Sequence, residues 1–341
     1  MRAVASLSFA LSIDPQQSTA LEPRALRILA SALDESGLDY VLLPELHRGQ
    51  NVGSGLDPVL AAAVLARRTQ RIGVVASVSA NFAEPFHAAK EITTLDFASR
   101  GRAGAAIAVT TGLVVEKAAT GLHSRDEPDA PADQLAEYAD TLRALWDSWE
   151  EDAIIRDSQS ERYLDAARVH HVNVVTSRYS VVGPLITPRP PQGNPPVFAS
   201  VADEETAVAL SSCADVVIRP WAAAVSSSIR VDGSRHVREL AVRFVDSYPA
   251  VAETLYGSEF VGTPEQLVDI LAAENSAGLL DDGVLFRSQR PLRDSYLLGA
   301  RVLPALVARG VTPPGAPRSA SLRERLNLAP AQNRFEAIAS A

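Results

Sequence analysis

The sequence predicts an α/β protein built as a closed eight-stranded parallel barrel, a (β/α)8 or TIM barrel, and three observations carry that reading. Eight short runs rich in β-branched residues alternate with stretches of helical period, the pattern of repeated βαβ units. The runs are apolar almost without interruption, as strands buried on both faces are. The chain has 341 residues, and barrels of this kind routinely exceed about 250 residues as one unit.

The eight strands are expected at Val4–Leu11, Asp39–Leu43, Arg71–Val78, Ala103–Thr110, Val197–Ser200, Asp215–Ile218, Glu239–Val245 and Gly283–Arg287. Helix punctuation between them is explicit. Leu21–Ser36 stops at Gly37, Asp57-Pro58 opens Val59–Arg68, Pro85 opens Phe86–Ser99 ahead of Gly101, and Thr263-Pro264 opens another helix. One connection breaks the rhythm: between strands four and five lies an excursion that holds a long helix ending in Leu145-Trp146-Asp147-Ser148-Trp149. An acidic stretch and the run Pro188-Arg189-Pro190-Pro191-Gln192-Gly193-Asn194-Pro195-Pro196 follow, the latter expected as a stiff extended approach to strand five. Residues 1–310 are expected to form the barrel, and residues 311–341 a tail packed on it or on a neighbouring subunit.

Composition excludes several classes. A hydrophobic fraction of 47% and a charged fraction of 21% belong to a globular chain. A net charge of −9 argues against a nucleic-acid partner, which selects a concentrated basic face. No stretch approaches the roughly 18 apolar residues of a membrane span, so a soluble protein is expected. The lone Cys213 permits no intrachain disulfide and reads as an inert buried thiol, in keeping with a cytoplasmic location. His170-His171 lacks a third ligand at metal-site spacing, and no metal is expected.

Certain motifs carry more than fold. Arg71-Ile72-Gly73-Val74, Glu84-Pro85-Phe86-His87, Thr94-Leu95-Asp96 and Ser99-Arg100-Gly101-Arg102-Ala103-Gly104 follow one another in an order and spacing that resembles the luciferase-like flavin monooxygenases. LWDSWEEDAIIRD from Leu145, YLDAARVHHV from Tyr163, GPLITPRPPQGNPPV from Gly183, FVGTPEQ from Phe260 and LRERLNLAPAQNRF in the tail are similar to the nitrilotriacetate and dibenzothiophene-sulfone monooxygenase branch. The resemblance implies a luciferase-like barrel with its pocket at the carboxyl ends of the strands and a two-component chemistry. Reduced FMN from a separate flavin reductase would then oxygenate a small organic substrate. About 40 residues separate Ile218 from Phe260, fewer than the family places around strand seven, so that region is expected to be shortened.

Residue by residue, the resemblance places Phe9, Val78, Ser79, Asn81, Thr110, Ser200 and Val201 at the cofactor, with Thr111 beside them. Glu45, His47 and His123 are the titratable candidates for moving a proton, each of which could equally be a solvated loop residue. Elsewhere the pattern departs. Ala105-Ala106 stands where the branch has an aromatic followed by an amide, and Asp203-Glu204-Glu205 stands on the first helical turn after strand five, where the family offers N–H groups to the FMN phosphate. Carboxylates there cap the helix and repel a phosphate, at about 1 to 4 kcal/mol per close pair. FMN binding is therefore expected to be weak or absent, and two functions remain open. One is an FMN-dependent monooxygenase with modified contacts; the other is a non-catalytic or ligand-binding barrel. A deazaflavin dehydrogenase is a third option, disfavoured by the WDSW and PRPPQG motifs.

The helices Val59–Arg68 and Phe86–Ser99 are rich in alanine, and family barrels pair near strands two and three. A homodimer is expected; light scattering at micromolar concentration should return twice the chain mass, and a monomer would refute it.

Overall fold

The computed structural model describes residues 7–13, 23–44, 56–109, 131–201, 210, 212–221, 234–246, 255–315, 317 and 319–339. The strands, in chain order, are β1 (Ser8–Ile13), β2 (Tyr40–Leu43), β3 (Gly73–Ser79), β4 (Ala103–Ala108), two short hairpins β5–β6 (Ile154–Asp157, Arg162–Leu164) and β7–β8 (Val174–Val175, Ser180–Val181), then β9 (Val197–Ser200), β10 (Val216–Pro220), β11 (Arg235–Phe244), β12 (Leu255–Tyr256), β13 (Glu259–Gly262) and β14 (Gly283–Ser288). Eight of them, β1-β2-β3-β4-β9-β10-β11-β14, pair in parallel, and the β14–β1 pairing closes the ring. This is the barrel the sequence predicts, strand for strand.

Two cores follow from strand alternation. Ala10, Tyr40, Leu42, Val75, Ala106, Phe198, Val216, Ile218, Val237 and Leu285 fill the interior, while the intervening residues pack beneath the helices. The helical layer begins with α1 (Pro23–Glu35), α2 (Pro58–Ala66) and α3 (Pro85–Ser99). Asp57 caps α2 by accepting from Val59 N and Leu60 N, and α3 ends at Arg100 in the left-handed conformation. The helix Pro264–Ser276 starts with a full capping box between Thr263 and Gln266.

Strand β11 begins four residues before the expected start at Glu239. Arg235, His236 and Arg238 disguise it as a loop, but the aspartates ahead of β14 receive them: Arg235 Nη2 donates to Asp282 O, His236 backbone N to Asp282 Oδ2 and Arg238 Nε to Asp281 Oδ2. The outer half of β11 gains an added partner, β13, with β12 antiparallel to it.

The excursion places the helix Pro131–Asp147 against α3 and returns through the proline run to β9. Its return is pinned at a buried carboxylate. Asp96 Oδ1 accepts from Ala103 N (3.2 Å) and Gln192 Nε2 (2.7 Å), and Oδ2 accepts from Gln192 N (3.1 Å). Gln192 Oε1 in turn accepts from Arg323 N. Asp147, at the end of the excursion helix, accepts from Arg189 (2.6 Å), Asn194 (2.9 Å) and Arg334. Arg102 is buried with its guanidinium on the carbonyls of Ala66, Thr69, Ile72 and Ser99. The tail completes the floor at the amino ends of the strands. Leu322 is fully buried inside the barrel, where a side chain on Gly73 would come within 2.7 Å of it and one on Gly104 within 3.1 Å.

Burial pushes the Asp96 carboxyl up to about 6, its hydrogen bonds and Arg102 offsetting part of the shift. The folded chain therefore holds this proton up to about pH 6 and the unfolded chain only to about pH 4. Across that window stability falls as pH rises, by about 3 kcal/mol from this group. Thermal melts of wild type and Asp96→Asn between pH 4 and 7 should show one proton's worth of that slope missing in the variant, against a uniform loss of about 1 to 3 kcal/mol for the mismatched amide.

Candidate active site at the carboxyl mouth of the barrel

In a parallel barrel the strands end together at one mouth, and the last inward residues of each strand line it. Pairing register identifies them. Ser77 and Ser79 share the inward face of Val75, Ser79 lies opposite Ala108, and Ser200 stands two places beyond the inward Phe198. Ser12, on the inward face of β1, is buried at the same end. Three serines and two alanines thus form a small-residue wall across β3, β4 and β9.

Ser79 is the sharpest element of that wall. Its Oγ is buried and finds no hydrogen-bond partner among the described residues. A buried hydroxyl left in this state costs on the order of 1 to 3 kcal/mol, which a ligand atom could recover. The turn that follows is held by the excursion helix: Gln134 Nε2 donates to Ala80 O (3.4 Å) and the Tyr138 hydroxyl to Ala83 O (2.9 Å). Asn81 lies in this turn, half-buried.

Opposite stands a charged pair that the sequence reading assigned no role. Glu239 on β11 follows the inward Val237 by two, and Arg287 on β14 follows the inward Leu285 by two. Glu239 lies opposite Leu285, so the two charges are diagonal neighbours on the barrel's inner face, with Arg287 Nε 3.7 Å from Glu239 Oε2. Strand parity, once pairing fixes which face is inward, is the signal: a charge two residues beyond an inward apolar residue faces the mouth.

The expected site residues separate into four groups. Ser79 and Ser200 are brought together on the inner wall, with Asn81 in the adjoining turn. Val78 and Val201 point outward into the helix-covered core, leaving their backbone at the mouth, and Val201 N is already donated to Ile218 O. Phe9 does not reach the mouth: it faces outward, stacks on Phe286 at 6.2 Å and takes Asp39 at its N–H near the amino ends of the strands. Ala105 likewise faces the helices, so of the Ala105-Ala106 pair Ala106 alone borders the interior. Glu45, His47, Thr110, Thr111, His123, Asp203 and Glu204 lie outside the described residues.

None of the four described histidines occupies an inward strand position. His87 approaches Lys90, His170 pairs with Glu150 at 2.7 Å and stacks on Phe335, His171 contacts Gly183 O, and His236 faces out of the barrel. Among the described residues there is no group of three metal-ligating side chains, and no helix is long and apolar enough to cross a membrane.

A closed (β/α)8 barrel with a hydroxyl-lined mouth, a buried Ser79 hydroxyl without a partner among the described residues and an excursion after β4 defines an α/β barrel with a candidate ligand site at its carboxyl face. The family model for luciferase-like monooxygenases matches residues 1–243, and the chain belongs to that family. It is 32% identical over 185 residues to the dibenzothiophene-sulfone monooxygenase of Rhodococcus erythropolis, covering 50% of this chain and 41% of that protein. It is 34% identical over 140 residues to the nitrilotriacetate monooxygenase component A of Aminobacter aminovorans, covering 41% of this chain and 31% of that one. The aligned regions thus span less than half of either relative. Among solved structures, a long-chain alkane monooxygenase superimposes with a TM-score of 0.78 at 16% identity, covering 95% of this chain and 96% of the other, a likeness of fold.

Ser79→Ala separates a ligand role from a structural one. Removing a hydroxyl that bonds none of the described residues should leave the melting temperature of the ligand-free protein unchanged or raised, and, with FMN as the probe, a ligand role predicts an affinity about five- to ten-fold lower, the loss of one hydrogen bond. A drop in stability without a change in FMN affinity would reverse the assignment.

Proposed function

We propose that the barrel mouth is the site of a flavin-dependent monooxygenase acting on a small organic substrate. The observation that carries this reading is the buried Ser79 hydroxyl lacking a described partner, set in the small-residue wall of a chain of this family. Ser79, Asn81 and Ser200, with the backbone at Val78 and Val201, would hold the flavin ring, and the family resemblance adds Thr110 and Thr111 to the cofactor contacts. FMN, when bound in reduced form, supplies the oxygen-activating chemistry. The chain's own contribution is a desolvated wall, ring orientation and a proton at the reacting atom, for which Glu45, His47 and His123 are the candidates beside the Glu239–Arg287 pair.

A separate flavin reductase fits this reading, since the nitrilotriacetate relative is itself named as one component. A cytoplasmic homodimer completes it, with the exposed Leu60 of α2 and Phe97 of α3 available to a two-fold contact. A second reading, a barrel that has lost tight flavin binding and serves as a non-catalytic or ligand-binding partner, draws on Ala106, on the engaged Val201 N–H and on the carboxylates of Asp203 and Glu204.

Under either reading flavin affinity is modest. The purified protein should be largely colourless and titrate with FMN at a dissociation constant at or above about 1 μM, or roughly −8 kcal/mol. Addition of a flavin reductase, NADH and FMN should then yield an oxygenated product from a panel of small organic compounds. Stoichiometric FMN retained through purification would overturn the weak-binding claim, and no FMN uptake at about 100 μM together with no oxygenated product in the coupled assay would favour the non-catalytic alternative.

A further inference from the structure

The turn between β3 and α3 leads from the serine wall into the helical layer, and its fixing is shared between two parts of the chain. Ser79 O accepts from Ala83 N (2.9 Å) and Phe82 N (3.3 Å), which makes Ser79–Ala83 one compact unit. The helix beyond it opens without a side-chain cap at Glu84, whereas Asp57 caps α2 with two bonds. Two donors from the excursion complete the turn: Gln134 Nε2 reaches Ala80 O (3.4 Å) and the Tyr138 hydroxyl reaches Ala83 O (2.9 Å).

These donors stand one turn apart on the helix Pro131–Asp147, and both side chains are buried. Other contacts hold that helix to the barrel. Leu135, Leu142, Leu145 and Trp146 pack into the outer core, and Trp146 Nε1 donates to Ala89 O (3.1 Å) further along α3. A buried amide or hydroxyl costs free energy unless it is bonded, so apolar side chains would serve packing alone better. What the two polar heads add is direction. The Tyr138 hydroxyl donates to Ala83 O and Ala83 N donates to Ser79 O, so a shift of Ala83 passes to the residue whose hydroxyl lines the mouth.

We propose that Tyr138, with Gln134 in a lesser part, is a positioning residue for the site at the mouth: it holds the turn, and thereby the direction of the Ser79 hydroxyl, without itself touching a ligand. The inference rests on the monooxygenase reading for the identity of that ligand, taken as FMN. Hydrogen bonds weaken steeply with angle and distance, so a hydroxyl on a loosened turn loses its ligand although the side chain is still present. Affinity at the mouth is thus set in part from the excursion, by a residue in the layer behind the wall.

The test is a double-mutant cycle on the full chain, read by FMN titration, with Tyr179→Phe as the matched control. Tyr179 packs edge-on against Tyr138 at 6.5 Å and its hydroxyl meets Thr141 Oγ1 (3.1 Å), so its loss acts on the same helix without removing a bond to the turn. Tyr138→Phe should weaken FMN binding about five-fold, Gln134→Leu about two-fold and Tyr179→Phe not at all. In the Ser79→Ala background Tyr138→Phe should cost less than about two-fold, because the hydroxyl it directs is gone. Hydrogen exchange on the flavin-free protein is the second readout: amides of Ser79–Ala83 should exchange faster in Tyr138→Phe and at the wild-type rate in Tyr179→Phe. Wild-type affinity in Tyr138→Phe, an equal loss in Tyr179→Phe, or the whole loss persisting in the Ser79→Ala background would each overturn the proposal. If wild type takes up no FMN, the cofactor reading falls and the exchange result alone decides: faster exchange confined to the turn keeps Tyr138 as its fixing residue, and unchanged exchange removes it.

Discussion

A charged carboxylate in a dry interior must be surrounded by donors, and the placing of Asp96 sets much of the rest of this protein. The last turns of α3 bring it to the start of β4, where Ala103 N reaches it, and the remaining acceptor positions are met from far along the chain by Gln192. Gln192 can arrive only if the proline run holds its course, and its own carbonyl then receives Arg323 of the tail. One desolvated group thereby joins a helix, a barrel strand, the excursion and the C-terminal segment. The excursion helix fixed at this end holds at its other end the turn after β3 that carries Asn81.

The barrel was legible because its strands are buried on both faces and so stand out as apolar runs between helices with Pro and Gly punctuation. Where that condition fails, the reading fails. The hairpins β5–β6 and β7–β8 are two to four residues long and largely exposed, leaving no period to detect. The start of β11 is hidden because Arg235, His236 and Arg238 find partners at Asp281 and Asp282, residues that no local pattern connects to them. At the mouth, the inward placement of Ser79 and Ser200 agrees with where the family resemblance put them. Phe9 and Ala105 were assigned to a pocket their strand parity turns them away from, while Glu239 and Arg287 needed that same parity, together with a register that emerges only once the strands are paired.

The motifs that carry the family resemblance sit mostly away from the mouth. Asp96 with Gln192 and Arg323, Asp147 with Arg189 and Arg334, and Arg102 on the carbonyls of Ala66, Thr69, Ile72 and Ser99 lie across the amino ends of the strands and the outer face of the excursion. Those contacts set stability and the relative placement of elements. The mouth is built by side chains from many strand ends, each replaceable without disturbing that frame, so one barrel can keep its architecture while its ligand contacts drift.

The plug formed by Leu322 bears on the order in which the molecule assembles. It lies against Gly73 and Gly104, and its backbone N–H is bonded to Gly101 O, all in the first third of the chain. Closing so long a loop is entropically slow, and nothing rewards it until the strands around it have already met. Loop entropy thus favours docking of the tail after the strands around it have paired. The floor is closed by two leucines of the tail, Leu322 and Leu326, both fully buried inside the barrel.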